Sequence, residues 1–300
     1  TGADLRKEGI SIPIIVMNPE FSSFNVLFEN HLEPEVYSFR WLNALIKETE
    51  RRGITDYPIH IKIDTGMHRL GFQPTDMPAL CERLKGQTGV QVRSVFSHLA
   101  GSDSFVFDDF TQQQLDTFTK TAAALEQGLE HKVIKHILNT AGIERFTSYQ
   151  MDMVRLGIGL YGVSASGQRG LRNVSTLKTT ILQIQQVAAG DSIGYSRKTY
   201  VERDSRIAII PIGYADGWNR HFSNGGGEVY LRGKRCPIVG NICMDACMVD
   251  VTDTDAQEGD SVEIFGENLP VTELADKLKT IPYEILTSVS PRVKRVYYRE

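Results

Sequence analysis

The chain has 300 residues, with 33 Lys and Arg against 37 Asp and Glu and a formal net charge of -4. Hydrophobic residues make up 41% and charged residues 23%, a soluble globular balance without the basic footprint of a nucleic-acid binder. No apolar run approaches the ~18 residues a membrane span needs, no basic-then-apolar leader opens the chain, and four cysteines are too few for a disulfide scaffold, which favours a reducing compartment.

The chain opens Thr1-Gly2-Ala3, leading at once into what reads as a helix end. Residues 12–17 form a continuous apolar run, the pattern of a strand buried on both faces, and 25–28 is a weaker strand candidate. The spacing of Val36, Phe39, Leu42, Leu45 and Ile46 predicts a helix over 35–51. Strands follow at 59–63, running into Asp64-Thr65-Gly66, at 90–96, ending in Ser97-His98, and at 134–138, ending in Asn139-Thr140. Helices are predicted at 75–86, with Pro78 in the first turns, and at 110–128, and 154–160 is a further strand-like run. This βα alternation with short connections predicts a parallel sheet covered by helices. Polar residues gather just after several successive strands, which favours a (β/α)8 TIM-type barrel over an open sheet with one switch point. The first 162 residues supply only about six strands of the eight such a barrel requires, so either the barrel is irregular or its first units are missing.

Beyond residue 175 short β-branched runs at 176–187, 206–211, 227–231, 236–239, 247–251 and 261–265 alternate with Gly-rich turns. They predict an antiparallel β domain, followed by a helix at 272–278 and an Arg-rich tail. The expected division is 1–172 for the barrel and 173–300 for the β domain.

Residues 62–71 are the most unusual stretch. Arg69, on a polar loop after a buried strand, suits a two-pronged hold on a carboxylate, although a surface arginine reads equally as solvated. Lys62 lies within the strand, where a lysine pointing into a barrel must be paired or modified. His98 and His136 read as structural or as site residues. No HxH, HExxH or CxxC spacing marks a metal, and Cys243 and Cys247 read better as buried thiols than as a zinc site. The segments Asn139-Thr140-Ala141-Gly142 and Arg155-Leu156-Gly157-Ile158-Gly159 stand where barrels of this kind commonly hold phosphate. Tyr195, Tyr214 and the Met244-Asp245 turn lie beside glycines in the β domain; a tyrosine, with pKa ~10, acts as a base only if its neighbours depress that value.

In order, KIDTGMHRLGF at 62–72, SHLA at 97–100, HILNTAG at 136–142, VRLGIGLYG at 154–162, SIGYSRKTY at 192–200, IPIGYADGW at 210–218, GNICMDACMVDV at 240–251 and SPRVKRVY at 290–297 resemble alanine racemase. That family uses pyridoxal 5'-phosphate (PLP) and joins a barrel to a C-terminal β domain. The resemblance implies that Tyr195 moves the Cα proton on one substrate face and that His98 hydrogen-bonds and tunes it. Arg155 would face the pyridine nitrogen. Thr140, Gly157 and Ile158 would hold the phosphate, with Asn139 and Tyr214 nearby, and Arg69 would orient the PLP phenolate and the substrate carboxylate. Lys62 resembles a lysine carried as a carbamate in some relatives, and Met244 and Asp245 would line the substrate site. Tyr195 and the 244–245 loop would reach the partner's cofactor in a head-to-tail homodimer. No nucleic-acid or membrane partner is expected; the implied setting is cytoplasmic supply of D-alanine for peptidoglycan.

Two departures stand out. No segment resembles the family's AVVKANAYGHG motif, which carries the lysine bonded to PLP, so the 300 residues read as a fragment lacking about two βα units and inactive alone. Pro291 stands where many relatives have a tyrosine that narrows substrate entry, which suggests slow acceptance of larger amino acids such as serine. Two other readings compete. A PLP-homeostasis barrel lacks the β domain that 176–300 supplies. A PLP-dependent decarboxylase turns an acid, not an arginine such as Arg155, toward the pyridine nitrogen.

Overall fold

The computed structural model describes residues 1–167 and 170–298. It divides into two compact units, Thr1–Gly157 with Ser164–Arg169, and Ile158–Val163 with Gly170–Glu300.

The first unit runs α1 (Gly2–Lys7), β1 (Ile15–Val16), α2 (Phe24–Glu29), β2 (Glu33–Val36), α3 (Phe39–Arg52), β3 (Tyr57–Lys62), α4 (Met77–Leu84), β4 (Val90–Phe96), α5 (Asp108–Leu129), β5 (Ile134–His136) and α6 (Thr140–Arg145). The strands pair in parallel in the order β1-β2-β3-β4-β5, the sequential order of a barrel wall. α3 shows why the helices form where they do. The Ser38 side chain accepts from the Trp41 N–H at its start, Gly53 closes its end in a left-handed conformation, and Trp41, Leu42, Leu45, Ile46 and Thr49 make its buried stripe. That stripe shares one apolar core with Ile59 and Ile61 of β3 and Val95 of β4.

Four expectations are corrected. The run at 12–17, expected as a strand buried on both faces, is strand only at half-buried Ile15–Val16, with Ile12 and Met17 exposed. Residues 25–28 belong to the helix α2, whose Leu27 and Phe28 face the core. The helix expected over 35–51 begins at Phe39, because Glu33–Val36 is a strand that its Glu-Pro-Glu sequence disguised. Residues 154–160 form no strand; a 3-10 turn spans Ile158–Tyr161. The unit therefore has five parallel strands among its described residues rather than about six.

The second unit is antiparallel, as expected. Its strands are β6 (Leu177–Thr180), β7 (Gln183–Val187), β8 (Ser192–Ile193), β9 (Thr199–Tyr200), β10 (Ser205–Ile210), β11 (Glu228–Leu231), β12 (Lys234–Val239), β13 (Cys247–Asp250) and β14 (Ser261–Phe265). Seven pair in the order β6-β14-β11-β12-β13-β10-β7, and β8 pairs with β9. The run at 176–187 is two strands on opposite edges of this sheet, not one. Helices α7 (Val271–Leu278) and α8 (Pro282–Ser288) follow, the second unanticipated. No helix among the described residues is long and apolar enough to cross a membrane.

Candidate active site

Alternation along each strand decides which side chains share a face. In the parallel sheet the register sets Glu35 opposite His60, His60 opposite Ser94, Lys62 opposite Phe96, and Phe96 opposite His136. Glu33, two residues before Glu35, lies on the same face, so one side of the sheet is almost wholly polar. Glu33, Glu35, His60, Lys62, Ser94 and His136 are all buried there. Buried polar groups must be paired, and these are. Lys62 Nζ donates to Glu35 Oε1 at 2.9 Å. Arg155 NH1 donates to His136 Nδ1 at 2.6 Å, Ser94 Oγ lies 3.1 Å from His136 Nε2 and 2.6 Å from His60 Nδ1, and His60 Nε2 lies 2.9 Å from Glu33 Oε2.

Arg155 has only donors, which fixes the proton order of this row. His136 accepts at Nδ1 and donates from Nε2 to Ser94, the Ser94 hydroxyl donates to His60 Nδ1, and His60 donates from Nε2 to the Glu33 carboxylate. Arg155 also donates to the carbonyls of Ser97, Ile137 and His136 and to His98 Nδ1 at 3.3 Å. It has no ion-pair partner within contact among the described residues. Burial pulls its pKa down to about 10, with Glu35 partly offsetting, so it stays charged at neutral pH. Burial, then the charge of Arg155, pushes His136 down to about 3. Burial, then Arg155, Arg69 and Lys62, pushes His98 down to about 4. Both imidazoles are therefore neutral near pH 7, and His98, accepting at Nδ1, carries its proton on Nε2. The Phe96 ring stacks on His136 with centroids 5.0 Å apart and underlies the cations of Lys62 and Arg155.

The Arg69 loop is built around Asp64. Its Oδ1 accepts from the N–H groups of Gly66 at 2.9 Å and His68 at 3.0 Å. Burial opposes its ionisation, but these N–H groups outweigh it and hold the carboxyl below its usual range. Gly71, at φ +136°, brings its Cα against the Asp64 backbone, where an added Cβ would sit 2.5 Å from the Asp64 nitrogen. Arg69 itself is exposed. Buried Gln114 of α5 ties this loop to the one after β4, donating to Thr65 Oγ1 and the His98 carbonyl and accepting from the Ala100 N–H.

After β5, Asn139 caps α6: its Oδ1 accepts from the Gly142 N–H at 2.9 Å and from Ser102 Oγ at 2.8 Å. Buried Thr140 accepts the Gly157 N–H at 3.0 Å. In the other unit, the Ile158 N–H donates to the Tyr283 hydroxyl at 3.3 Å.

The second unit gathers the remaining candidates around buried Asn241. Tyr195 is 70% exposed, on a tight turn whose next two residues, Ser196 and Arg197, have positive φ. Asn241 Nδ2 donates to the Tyr195 carbonyl at 2.8 Å. The N–H groups of Tyr214 and Ala215 donate to the carbonyls of Cys243 and Met244 at 3.1 and 2.9 Å, which locks the Tyr214 turn to the exposed Met244-Asp245 loop. Buried Cys236 and Cys247 have thiols pushed up to about 11 and 12, chiefly by burial, so both are protonated and inert.

Sequence reasoning missed Glu33, Glu35, Ser94, Asn241 and Tyr283. The acids left a signal: a buried lysine at 62 demands an anion, and Glu33 and Glu35 are spaced to share a strand face. Asn241 and Tyr283 left none, because their roles are backbone contacts between distant segments.

Models of the alanine racemase N-terminal and C-terminal domains match residues 2–165 and 174–297. The alanine racemase of Desulfovibrio desulfuricans is 38% identical over 98% of this chain and 81% of its own length. Alanine racemase 2 of Caldanaerobacter subterraneus subsp. tengcongensis is 36% identical over 98% and 78%. Among solved structures, the alanine racemase of Clostridium difficile 630 aligns with a TM-score of 0.91 at 33% identity, over 99% of this chain and 79% of its own. That of Bartonella henselae, with covalently bound pyridoxal phosphate, aligns with a TM-score of 0.88 at 31% identity, over 99% and 82%.

Proposed function

This chain belongs to the alanine racemase family, and from its own residues we propose how it interconverts L-alanine and D-alanine. The cofactor is PLP, and the barrel residues fit that anionic group. The observation that carries the reading is Arg155: a half-buried guanidinium with five hydrogen bonds, all to neutral acceptors, so its charge is left for a ligand. Arg69 adds a second cation beside His98.

When bound, PLP supplies an electron-withdrawing ring that acidifies the substrate Cα–H. Arg155 would meet the ring nitrogen with N–H donors while keeping its proton, which favours clean return of a proton to Cα over side chemistry. Thr140 and the N–H groups of Gly157 and Ile158 would hold the phosphate, with Asn139 and Tyr214 beside it. Arg69 would orient the PLP phenolate and the substrate carboxylate, and Met244 and Asp245 would line the substrate site. Tyr195 would remove and return the Cα proton on one face. Neutral His98 presents Nε2–H, and a hydrogen bond donated from it would stabilise the phenolate of Tyr195.

We place Tyr195 and the 244–245 loop at the cofactor of a second copy, in a head-to-tail homodimer with shared sites; the wide exposure of Tyr195 supports this. The barrel domain would be 1–172 and the β domain 173–300. The cytoplasm, where D-alanine would feed peptidoglycan, is the proposed setting.

Turnover of L-alanine in heavy water, by a racemase that carries these residues together with the family's cofactor lysine, tests the activity. Deuterium at Cα with loss of optical rotation is the expected result, and carbon dioxide release would overturn it in favour of decarboxylation. No lysine in the 300 residues matches the one that bonds the family's cofactor, so these residues alone, given excess PLP, should form no D-alanine; measurable turnover would contradict that expectation.

A further inference from the structure

We propose that Glu35 is a positioning residue of the cofactor face: its carboxylate pairs with the Lys62 side chain, so that Lys62 is not a carbon dioxide-modified lysine in this chain. The pair is closed. Lys62 Nζ lies 2.9 Å from Glu35 Oε1, and the two side chains are 4% and 0% exposed. The second carboxylate oxygen of Glu35 accepts the Asn18 N–H at 3.2 Å, so the anion is fixed from both sides. The Phe96 ring lies 5.7 Å from Lys62 Nζ, and its face also favours a cation.

Carbamate formation needs an amine lone pair. Lys62 Nζ would have to lose one proton to expose that lone pair, form an N–C bond to carbon dioxide and lose a second proton from the nitrogen to become –NH–COO⁻, changing its charge from positive to negative. The product would place that anion against the Glu35 carboxylate and delete the donor that satisfies it. Like charges in one buried site resist joint ionisation. The acid from β2 thus supplies the neutralising anion that a carbamate would otherwise bring, and its charge also acts on Arg155. The inference goes beyond the racemase reading, and its first readout does not depend on turnover.

The protein is equilibrated with ¹³C-labelled bicarbonate, examined by ¹³C NMR, and alkylated to trap any carbamate before peptide mass analysis. The expected result is no adduct on the peptide that contains Lys62; a trapped adduct there would overturn the proposal. A second arm compares Lys62→Arg, which keeps a cation against Glu35 and cannot take up carbon dioxide, with Lys62→Gln, which removes the cation. Lys62→Arg should retain the thermal midpoint and the PLP affinity read from cofactor absorbance, while Lys62→Gln loses about tenfold or more in affinity. Equal loss in both variants would contradict a role for the ammonium.

Discussion

His98 and His136 are neutral because they are buried beside a guanidinium, and this gives them a measurable signature. Their folded pKa values, about 4 and about 3, lie below the ordinary 6.5. Below 6.5 the unfolded chain binds protons that the folded chain does not. Their contribution is therefore complete above that value and is lost as pH falls toward 4 and then 3, on the order of a few kcal/mol in all. Urea unfolding from pH 7 to 4.5 should show this fall, and His136→Gln should make it shallower; an identical slope in the variant would contradict the assignment. Tyr195→Phe, in a racemase carrying these residues and the cofactor lysine, should lower kcat by ~10²–10⁴. Its 70% exposure predicts an unchanged thermal midpoint, read by circular dichroism. His98 and Arg155, which the structure brings within 3.3 Å of each other, stood out in the sequence because each lies in a distinctive motif. Glu33 and Glu35 were not: an acid's burial depends on which strand it pairs with, and no local pattern encodes that.

At the scale of elements, the long amphipathic helices were legible because their periodicity matches their burial, whereas the apolar run at 12–17 does not match its own: only Ile15–Val16 is strand, and both are half-buried. β2 was hidden because three of its four residues are Glu, Pro and Glu, yet all four are buried. α2 was misread as a strand because an apolar run as short as Val26-Leu27-Phe28 has no decisive period. Two substitutions probe how elements hold the site. Ser38→Ala removes the hydroxyl that accepts from the Trp41 N–H and should cost about 1 kcal/mol in urea unfolding. Gly213→Ala would place a Cβ 2.4 Å from the Cys243 carbonyl oxygen and 2.5 Å from the Asp245 nitrogen, both backbone. In a racemase carrying these residues and the cofactor lysine, it should displace the 244–245 loop and raise KM for alanine while lowering the thermal midpoint little; an unchanged KM would show that this loop does not line the substrate site.

For the molecule as a whole, the order of eight short segments was enough to read two domains and a family, although each segment alone was weak. What no single chain can display is how copies combine. Lys62, Arg69, His98, Asn139, Thr140, Arg155 and Gly157 lie in one compact unit, while Tyr195 and Asp245 lie on the exposed surface of the other. The most direct test of shared sites mixes two inactive homodimers of the racemase, one carrying Tyr195→Phe and the other Arg69→Ala, under conditions that let subunits exchange. If Tyr195 serves the partner's cofactor, each mixed dimer has one intact site, and an equal mixture should recover about a quarter of the unsubstituted activity. Subunit exchange without any recovery of D-alanine formation would contradict the account.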